Sequence, residues 1–337
     1  MGSHRWHQRL LAVLVILLVS LLTIGLPSLS MQRQQMPLRV QLRWLPQAQF
    51  AGFYVAKGLE FFQREGLSVS LEPGGPSVNG LQRLRDGEVD VTIAWTSDAL
   101  DMRRQGAQLV NVAQLLQRPG TMLVCSAASG VKKAADLNGK RVGTWFLGDE
   151  FDVGYWLQRY GLGLDAVRLV EQKPAARDLL NGQVDCATAM SYNEFQTILQ
   201  AGALQSDLFT VRFAEENSGV LEDGLYVRAS DLQDPVKRDR LERFLRSLAA
   251  GWRYTARHPD EAVAITERFM DSSNTTHQKA MLREILQLMD LNKGYGLLDP
   301  ATFRRSVEIV GRGSGDPEGI ATAARGAWSL KVWRDSE

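Results

Sequence analysis

The chain has 337 residues, 45% of them hydrophobic, which is enough for two domains with substantial cores. Its 39 basic and 38 acidic residues leave a formal net charge of +1. This balance, with no block of basic residues, argues against a nucleic-acid-binding protein.

Residues 1–30 are typical of an export signal and are set apart from the fold. A basic start containing Arg5 and Arg9 precedes an apolar run over residues 10–24, which Pro27 ends. About 15 apolar residues fall short of the roughly 20 that span a bilayer, so a cleaved signal peptide is favoured over an uncleaved N-terminal anchor. The mature protein is therefore expected in the periplasm.

The next elements predict strand, helix and strand. Residues 38–42 alternate between apolar and polar side chains, the pattern breaks at Leu45-Pro46, and a helix is predicted over residues 50–64. Residues 67–72 alternate again. A Gly74-Gly75 turn follows, with Ser77 as the candidate N-cap of the next helix.

The same alternation of strand and helix continues to about residue 227. Further strands are predicted at 89–95, 109–114, 121–126, 140–145, 167–170, 184–188, 208–213 and 225–227. The intervening helices are predicted at 96–104, 151–160, 175–180 and 193–200. From residue 235 the pattern is helical, at 235–258, 260–269, 275–289, 300–310 and 317–324. Two α/β units with parallel sheets and a helical tail predict two lobes with a cleft between them.

The two cysteines, Cys125 and Cys186, each lie within an apolar run that reads as a strand. Export makes a disulfide possible, but we expect buried free thiols at both positions. Neither spacing suits zinc, and all four histidines fall in the signal or in predicted C-terminal helices. We therefore predict no metal, no cofactor and no Ser-His or Cys-His catalytic pair.

Aromatic residues stand directly after several predicted strands: Trp44, Trp95, Trp145 and Tyr192. In an open α/β sheet, ligands bind beyond the carboxyl ends of strands. These side chains either plug the rims of the sheets or form a cleft whose aromatic walls stack on a flat ring.

Amides and acids occupy the same kind of position. They are Gln47 and Gln49 in the opening loop, and Asp98, Asp149, Glu150, Glu194, Glu222 and Asp223 elsewhere. Glu150 also suits a capping role at the helix that begins near Phe151. Carboxylates and amides pair with the N–H groups and ring nitrogens of an aminopyrimidine, whereas a sulfonate needs Arg or clustered backbone N–H groups. The Gly74-Gly75 turn is the one feature that suits an anion.

Several segments together resemble a known family. They are LRWLPQAQFAGFYVAKGLEFFQREGLSVSLEPGGP at residues 42–76, DGEVDVTIAW, DLNGKRVGTW, GDEF, MSYNEF and LEDGLYV. The chain resembles the periplasmic binding proteins of ABC importers that are related to thiamin pyrimidine synthase. The resemblance implies a type II periplasmic-binding fold, with lobe one at residues 37–125 plus 225–337 and lobe two at 126–224. The crossovers that form the hinge would lie at residues 121–127 and 221–227.

The resemblance also implies a function. Such a protein would be a monomer that captures a thiamin pyrimidine precursor of the formylaminopyrimidine or hydroxymethylpyrimidine type and delivers it to an ABC permease. Carried over by matching position, the implied pocket residues are Trp44, Gln47, Gln49, Trp95, Trp145, Glu150, Tyr192 and Glu194. Asp223 joins this set as one of the acids expected near the ends of the strands.

Three alternatives stay open at this point. The ligand would instead be riboflavin or a small sulfonate-like anion, or the protein would be a sensor for a membrane signalling partner if residues 1–30 stay attached. The superfamily also contains a eukaryotic enzyme that makes the thiamin pyrimidine by consuming its own histidine. Phe50 stands where that enzyme carries the histidine, and the enzyme's clustered cysteine motif is missing, so no enzymatic activity is predicted.

Overall fold

The computed structural model describes residues 35–173, 176–291 and 294–336, so the predicted signal at 1–30 lies outside the described residues. From Met36 the chain forms one compact unit built on two five-stranded sheets. Helices cover both sheets and continue after the last strand. The predicted two-lobe α/β fold with a helical C-terminal region is confirmed. None of the helices in the described ranges has the length and apolar character needed to cross a bilayer.

The first sheet has the strand order β2-β1-β3-β10-β4. Its strands are β1 (Met36–Gln41), β2 (Leu67–Glu72), β3 (Val91–Ala94), β4 (Leu109–Gln114) and β10 (Gly224–Arg228). Strand β1 runs parallel to β2 and β3, whereas β10 is antiparallel to both of its neighbours. Strands β3 and β4 are buried along their whole length, as expected for strands covered on both faces.

Helices connect these strands, with two local differences from the prediction. They are α1 (Ala51–Gly58), α2 (Phe61–Arg64), α3 (Gly80–Arg85) and α4 (Thr96–Arg104). The single helix predicted over residues 50–64 is interrupted, because Glu60 adopts a left-handed conformation with φ of 60°. The N-cap of α3 is Asn79 and not Ser77: its Oδ1 accepts a hydrogen bond from Gln82 N at 3.0 Å.

The second sheet repeats this plan in the order β7-β6-β8-β5-β9. Its strands are β5 (Thr121–Cys125), β6 (Arg141–Thr144), β7 (Arg168–Glu171), β8 (Cys186–Met190) and β9 (Phe209–Arg212), with helices α5 (Asp149–Gln158), α6 (Arg177–Leu180) and α7 (Glu194–Gln200). Both sheets are mixed rather than parallel. The strand on which the chain enters each sheet from the other one, β10 in the first and β5 in the second, runs antiparallel to its neighbour. Strand β5, which the resemblance placed at the first crossover, pairs entirely within the second sheet.

Cys125 and Cys186 form a disulfide, so the expectation of free thiols is wrong. The two residues face each other directly in the antiparallel pair of β5 and β8. They are 61 residues apart in sequence, so only the strand register brings their side chains together. Sequence patterns do not reveal that register.

Among the described residues, six helices follow the last strand, and some of them contact the second lobe. They are α8 (Pro235–Arg257), α9 (Pro259–Glu267), α10 (Thr275–Met289), α11 (Pro300–Ser314), α12 (Pro317–Ala323) and α13 (Lys331–Ser336), the last of which was not predicted. Helix α8 packs on α1, where Gly52 leaves room for the ring of Trp252. Helix α11 packs on α5 of the second lobe, and Glu284 on α10 pairs with Arg212 on β9 at 2.6 Å.

Candidate functional site

A pocket with about 480 Å³ of empty space, part of it open to solvent, lies between the lobes. It is lined by Arg43, Trp44, Gln47, Gln49, Trp95, Trp145, Leu147, Met190, Tyr192, Asn193 and Glu194. These residues end or follow β1, β3, β6 and β8, so the pocket sits at the carboxyl ends of parallel strands from both sheets.

The pocket is predominantly aromatic. Trp44 and Trp145, from opposite lobes, meet edge to face with their ring centroids 6.2 Å apart and their planes at 72°. The Tyr192 ring is 3% exposed and packs on Gly120, where a Cβ atom would come within 2.8 Å of the ring. Burial raises the pKa of Tyr192 well above its ordinary value, so its hydroxyl stays neutral. Aromatic walls of this kind can stack on a flat ring.

Among the described residues of the pocket lining, Arg43 is the cationic one, and its guanidinium already contacts other side chains. Its guanidinium lies 4.6 Å from the Trp95 ring centroid, and its Nη1 is 2.7 Å from Asp98 Oδ2. The ion pair offsets the charge of Arg43, while the ring contact fixes its position. The pocket therefore offers little free positive charge to an anion.

Two glutamines and a buried aspartate form a hydrogen-bonded chain along one wall. Gln47 Nε2 donates to Gln49 Oε1 at 2.7 Å, and Gln49 Nε2 donates to Asp223 Oδ2 at 2.6 Å. The backbone of this loop is fixed from the other side, where Gln278 Oε1 accepts from Ala48 N at 2.7 Å. Burial raises the pKa of Asp223, while the bond from Gln49 and the charge of Arg43 oppose that rise.

Asp149 holds the loop that presents Trp145. Its carboxylate is fully buried and accepts hydrogen bonds from Trp145 N at 2.9 Å and Leu147 N at 3.2 Å. The next residue, Glu150, turns back to accept from Gly148 N at 3.1 Å. Burial, with the nearby Asp149 charge, raises the pKa of Glu150 to about 7. Both acids therefore organise the start of α5.

Glu194 is committed to its own helix terminus. Its Oε2 accepts from Met190 N at 2.9 Å and its Oε1 accepts from Asn193 Nδ2 at 2.7 Å. Asn193 Oδ1 in turn lies 3.0 Å from Nε2 of His277 on α10, which links the pocket to the first lobe. Burial raises the pKa of Glu194. Within the described parts of the chain, no group of three His, Cys, Asp or Glu residues is arranged to hold a metal ion.

The structure brings most of the predicted site residues to one place. Seven of the nine line the pocket: Trp44, Gln47, Gln49, Trp95, Trp145, Tyr192 and Glu194. Glu150 instead lines an adjoining part of the cleft with about 1,340 Å³ of empty space, and Asp223 lies behind Gln49. Phe50, expected from the resemblance to stand where the eukaryotic enzyme carries its histidine, is fully buried against Phe53 in the core and not in the pocket lining.

Sequence reasoning missed four lining residues: Arg43, Leu147, Met190 and Asn193. Each is next to a predicted position or within two residues of one. The whole loop after a strand therefore predicts pocket residues, and not just the aromatic residue within it. A wider window at each strand end would have included all four.

Comparison with known proteins adds the family context. A protein of Haemophilus influenzae whose name assigns it to thiamine biosynthesis is 28% identical over 245 residues, which cover 72% of this chain and 74% of that protein. The periplasmic aliphatic sulphonate binding protein SsuA from Escherichia coli has a similar fold, with a TM-score of 0.69, 13% identity and coverage of 86% of this chain and 91% of that chain.

The fold also occurs in an enzyme. The desulfurization enzyme DSZB matches with a TM-score of 0.60 and 13% identity, covering 90% of this chain and 99% of that chain. Identities this low show a shared fold and do not transfer a function. The family described as NMT1/THI5 like matches residues 47–262, which is more than half of the chain. The protein therefore belongs to the NMT1/THI5-like family.

Proposed function

We propose that this protein is a periplasmic solute-binding protein of an ABC importer that captures a planar nitrogen heterocycle, of the thiamin pyrimidine precursor type, between its lobes. One observation carries the proposal. Trp44 and Trp145 come from opposite lobes and meet at a pocket whose other lining residues include amides, an acid, further aromatic rings and the paired Arg43. A flat ring inserted there would contact both lobes at once.

The charges around the pocket favour this ligand over a sulfonate. An anion would have to compete with Asp98 for Arg43, and the carboxylate already lies 2.7 Å from the guanidinium. The Gly74-Gly75 turn, the feature that suited an anion, has a structural explanation. A Cβ atom at Gly74 would come within 2.3 Å of Leu42 O, so glycine is required there for close packing.

Binding would work as a shift from open to closed lobes, with the closed form stabilised by contacts that only it makes. The ligand would then be released to a membrane permease, and the protein would act as a monomer. No chemical step is needed. In keeping with this, both Glu194 oxygens already accept hydrogen bonds and Phe50 lies in the core.

A thermal-shift panel on the protein without residues 1–30 tests the proposal. The compounds are aminopyrimidines, thiamin, riboflavin and taurine. A ligand at about 100 times its dissociation constant stabilises the native state by roughly 2.7 kcal/mol, so a true ligand should raise the melting temperature. We expect an aminopyrimidine to do so at the lowest concentration. A response to taurine alone would overturn the heterocycle in favour of an anion.

A further inference from the structure

We infer that Asp223 sets the hydrogen-bonding polarity of the pocket. Its carboxylate orients Gln49, and through it Gln47, so that Gln47 Oε1 faces the ligand as an acceptor. The pocket would then select heterocycles that carry an exocyclic amino group against those that carry an oxo group at the same place. The inference rests on the proposed function and assigns Asp223 a positioning role, 174 residues away from Gln49 in sequence.

The first step is the contact between Asp223 and Gln49. Asp223 is 2% exposed, and its Oδ2 lies 2.6 Å from Gln49 Nε2. In this contact the Asp223 oxygen is the acceptor and the Gln49 amide nitrogen is the donor. Gln49 must therefore turn its amide nitrogen toward Asp223, and its Oε1 is left to face Gln47.

The second step is that the orientation of Gln49 fixes the orientation of the Gln47 amide. Gln49 Oε1 accepts from Gln47 Nε2 at 2.7 Å, so Gln47 too has a single favourable amide orientation. Flipping either amide would bring two acceptors together in a buried place, which costs free energy. Gln47 lines the pocket, its Nε2 is engaged with Gln49, and its Oε1 accepts no hydrogen bond from another described residue, so we assign Oε1 to the ligand as the acceptor.

Trp95 indicates what would follow if the carboxylate were replaced. The indole N–H of Trp95 and Oδ1 of Asp223 are both buried, and neither has a hydrogen-bond partner among the described residues, while the Trp95 side chain lowers the pKa of Asp223. An asparagine at position 223 would turn its oxygen toward this N–H and its amide nitrogen toward Gln49. Both glutamines would then reverse, and Gln47 would present a donor.

The ligand chemistry follows from this polarity. An exocyclic amino group donates to Gln47 Oε1, whereas an oxo group would place an acceptor against it. Sites built around a hydrogen bond discriminate strongly against ligands that leave a buried polar group unpaired. We therefore expect wild-type protein to prefer the aminopyrimidine by more than about tenfold over its oxo analogue.

Isothermal titration with two probes tests the inference: a hydroxymethylpyrimidine carrying the amino group and the analogue with an oxo group in its place. Asp223→Asn should lose or reverse the preference. Asparagine tolerates the left-handed φ of 48° at this position, so the backbone should be unaffected. Asp231→Asn is the matched control, because Asp231 is a buried carboxylate that pairs with Lys237 at 2.7 Å and follows the far end of β10.

The outcomes separate the two levels of the proposal. A wild-type protein that binds neither probe overturns the proposed function, and the inference falls with it. Equal affinity of wild type for both probes, or an unchanged preference in Asp223→Asn, overturns the inference and leaves the function standing. Gln47→Met removes the acceptor without touching Asp223 and should also abolish the preference. It decides the question should Asp223→Asn fail to fold.

Discussion

Removing the disulfide between Cys125 and Cys186 should lower the free energy of unfolding without changing ligand affinity. The bond joins facing positions of β5 and β8, both inside the second sheet, and neither cysteine lines the pocket. The perturbation is the double variant Cys125→Ala and Cys186→Ala. Its effect on binding should be small, because Tyr192 and Trp145 are held by contacts that do not involve either cysteine.

The magnitude follows from the loop that the bond closes. With a sequence separation of 61, the chain-entropy relation gives a stabilisation of about 4 kcal/mol at 25 °C. Cavities left by two small side chains would add to the loss. At about 2–4 °C per kcal/mol for a protein of this size, the melting temperature should fall by roughly 10 °C.

The assay compares thermal melts of wild type, oxidised and reduced, with those of the double variant. Because both cysteines are fully buried, reduction requires unfolding in denaturant followed by refolding with reductant present. The melt of the double variant should not respond to reductant. Two titratable thiols in denatured, unreduced wild type, or identical melts before and after reduction, would refute the reasoning.

Other predictions concern the pocket and the crossovers. Trp44→Ala should weaken heterocycle binding by about tenfold at little cost in stability, since Trp44 is only half-buried; titration and melting check this. Tyr192→Ala should instead cost about 3 kcal/mol of stability as well, because its ring is buried on Gly120, so Tyr192→Phe is the cleaner test of the hydroxyl. Burial raises the pKa of Glu222 from 4.5 to about 7, so its contribution to stability is present below pH 4.5 and lost as the pH rises through 7; urea melts should show this slope, and Glu222→Gln should reduce it, leaving the part that Glu150 contributes.

Much of the fold could be predicted because local periodicity determines it. The strand Leu109–Gln114 and the helix Thr275–Met289 have the predicted bounds, and most other elements differ by a few residues. What local patterns could not show was pairing between distant segments. The sheet to which Thr121–Cys125 belongs and the disulfide are non-local, and the lobe boundaries at residues 125 and 225 stay predictions.

The candidate site was likewise predictable where it depends on local patterns and not where it depends on contacts between distant residues. The strand-end positions of Trp44, Trp145 and Tyr192 follow from the rule that loops at carboxyl ends of parallel strands converge. The position of Glu150 did not follow, because its side chain turns back onto Gly148 and faces the adjoining part of the cleft. Nor could sequence patterns show that Asp223 contacts Gln49 rather than the pocket.

The contacts between the lobes indicate where closure would gain its free energy. Trp44 and Trp145 touch in this structure, so on the proposed function a ligand inserted between them would replace an edge-to-face interaction worth about 0.5–1.5 kcal/mol. The ligand's affinity therefore depends on how far its stacking on the two rings exceeds the direct interaction between them. The pair Arg212–Glu284 and the packing of α11 on α5 lie outside the pocket lining, so a ligand between the two rings would not displace them directly. A movement that opens the lobes would have to change these outer contacts, whereas the aromatic and amide walls would decide which ligand stays between the lobes.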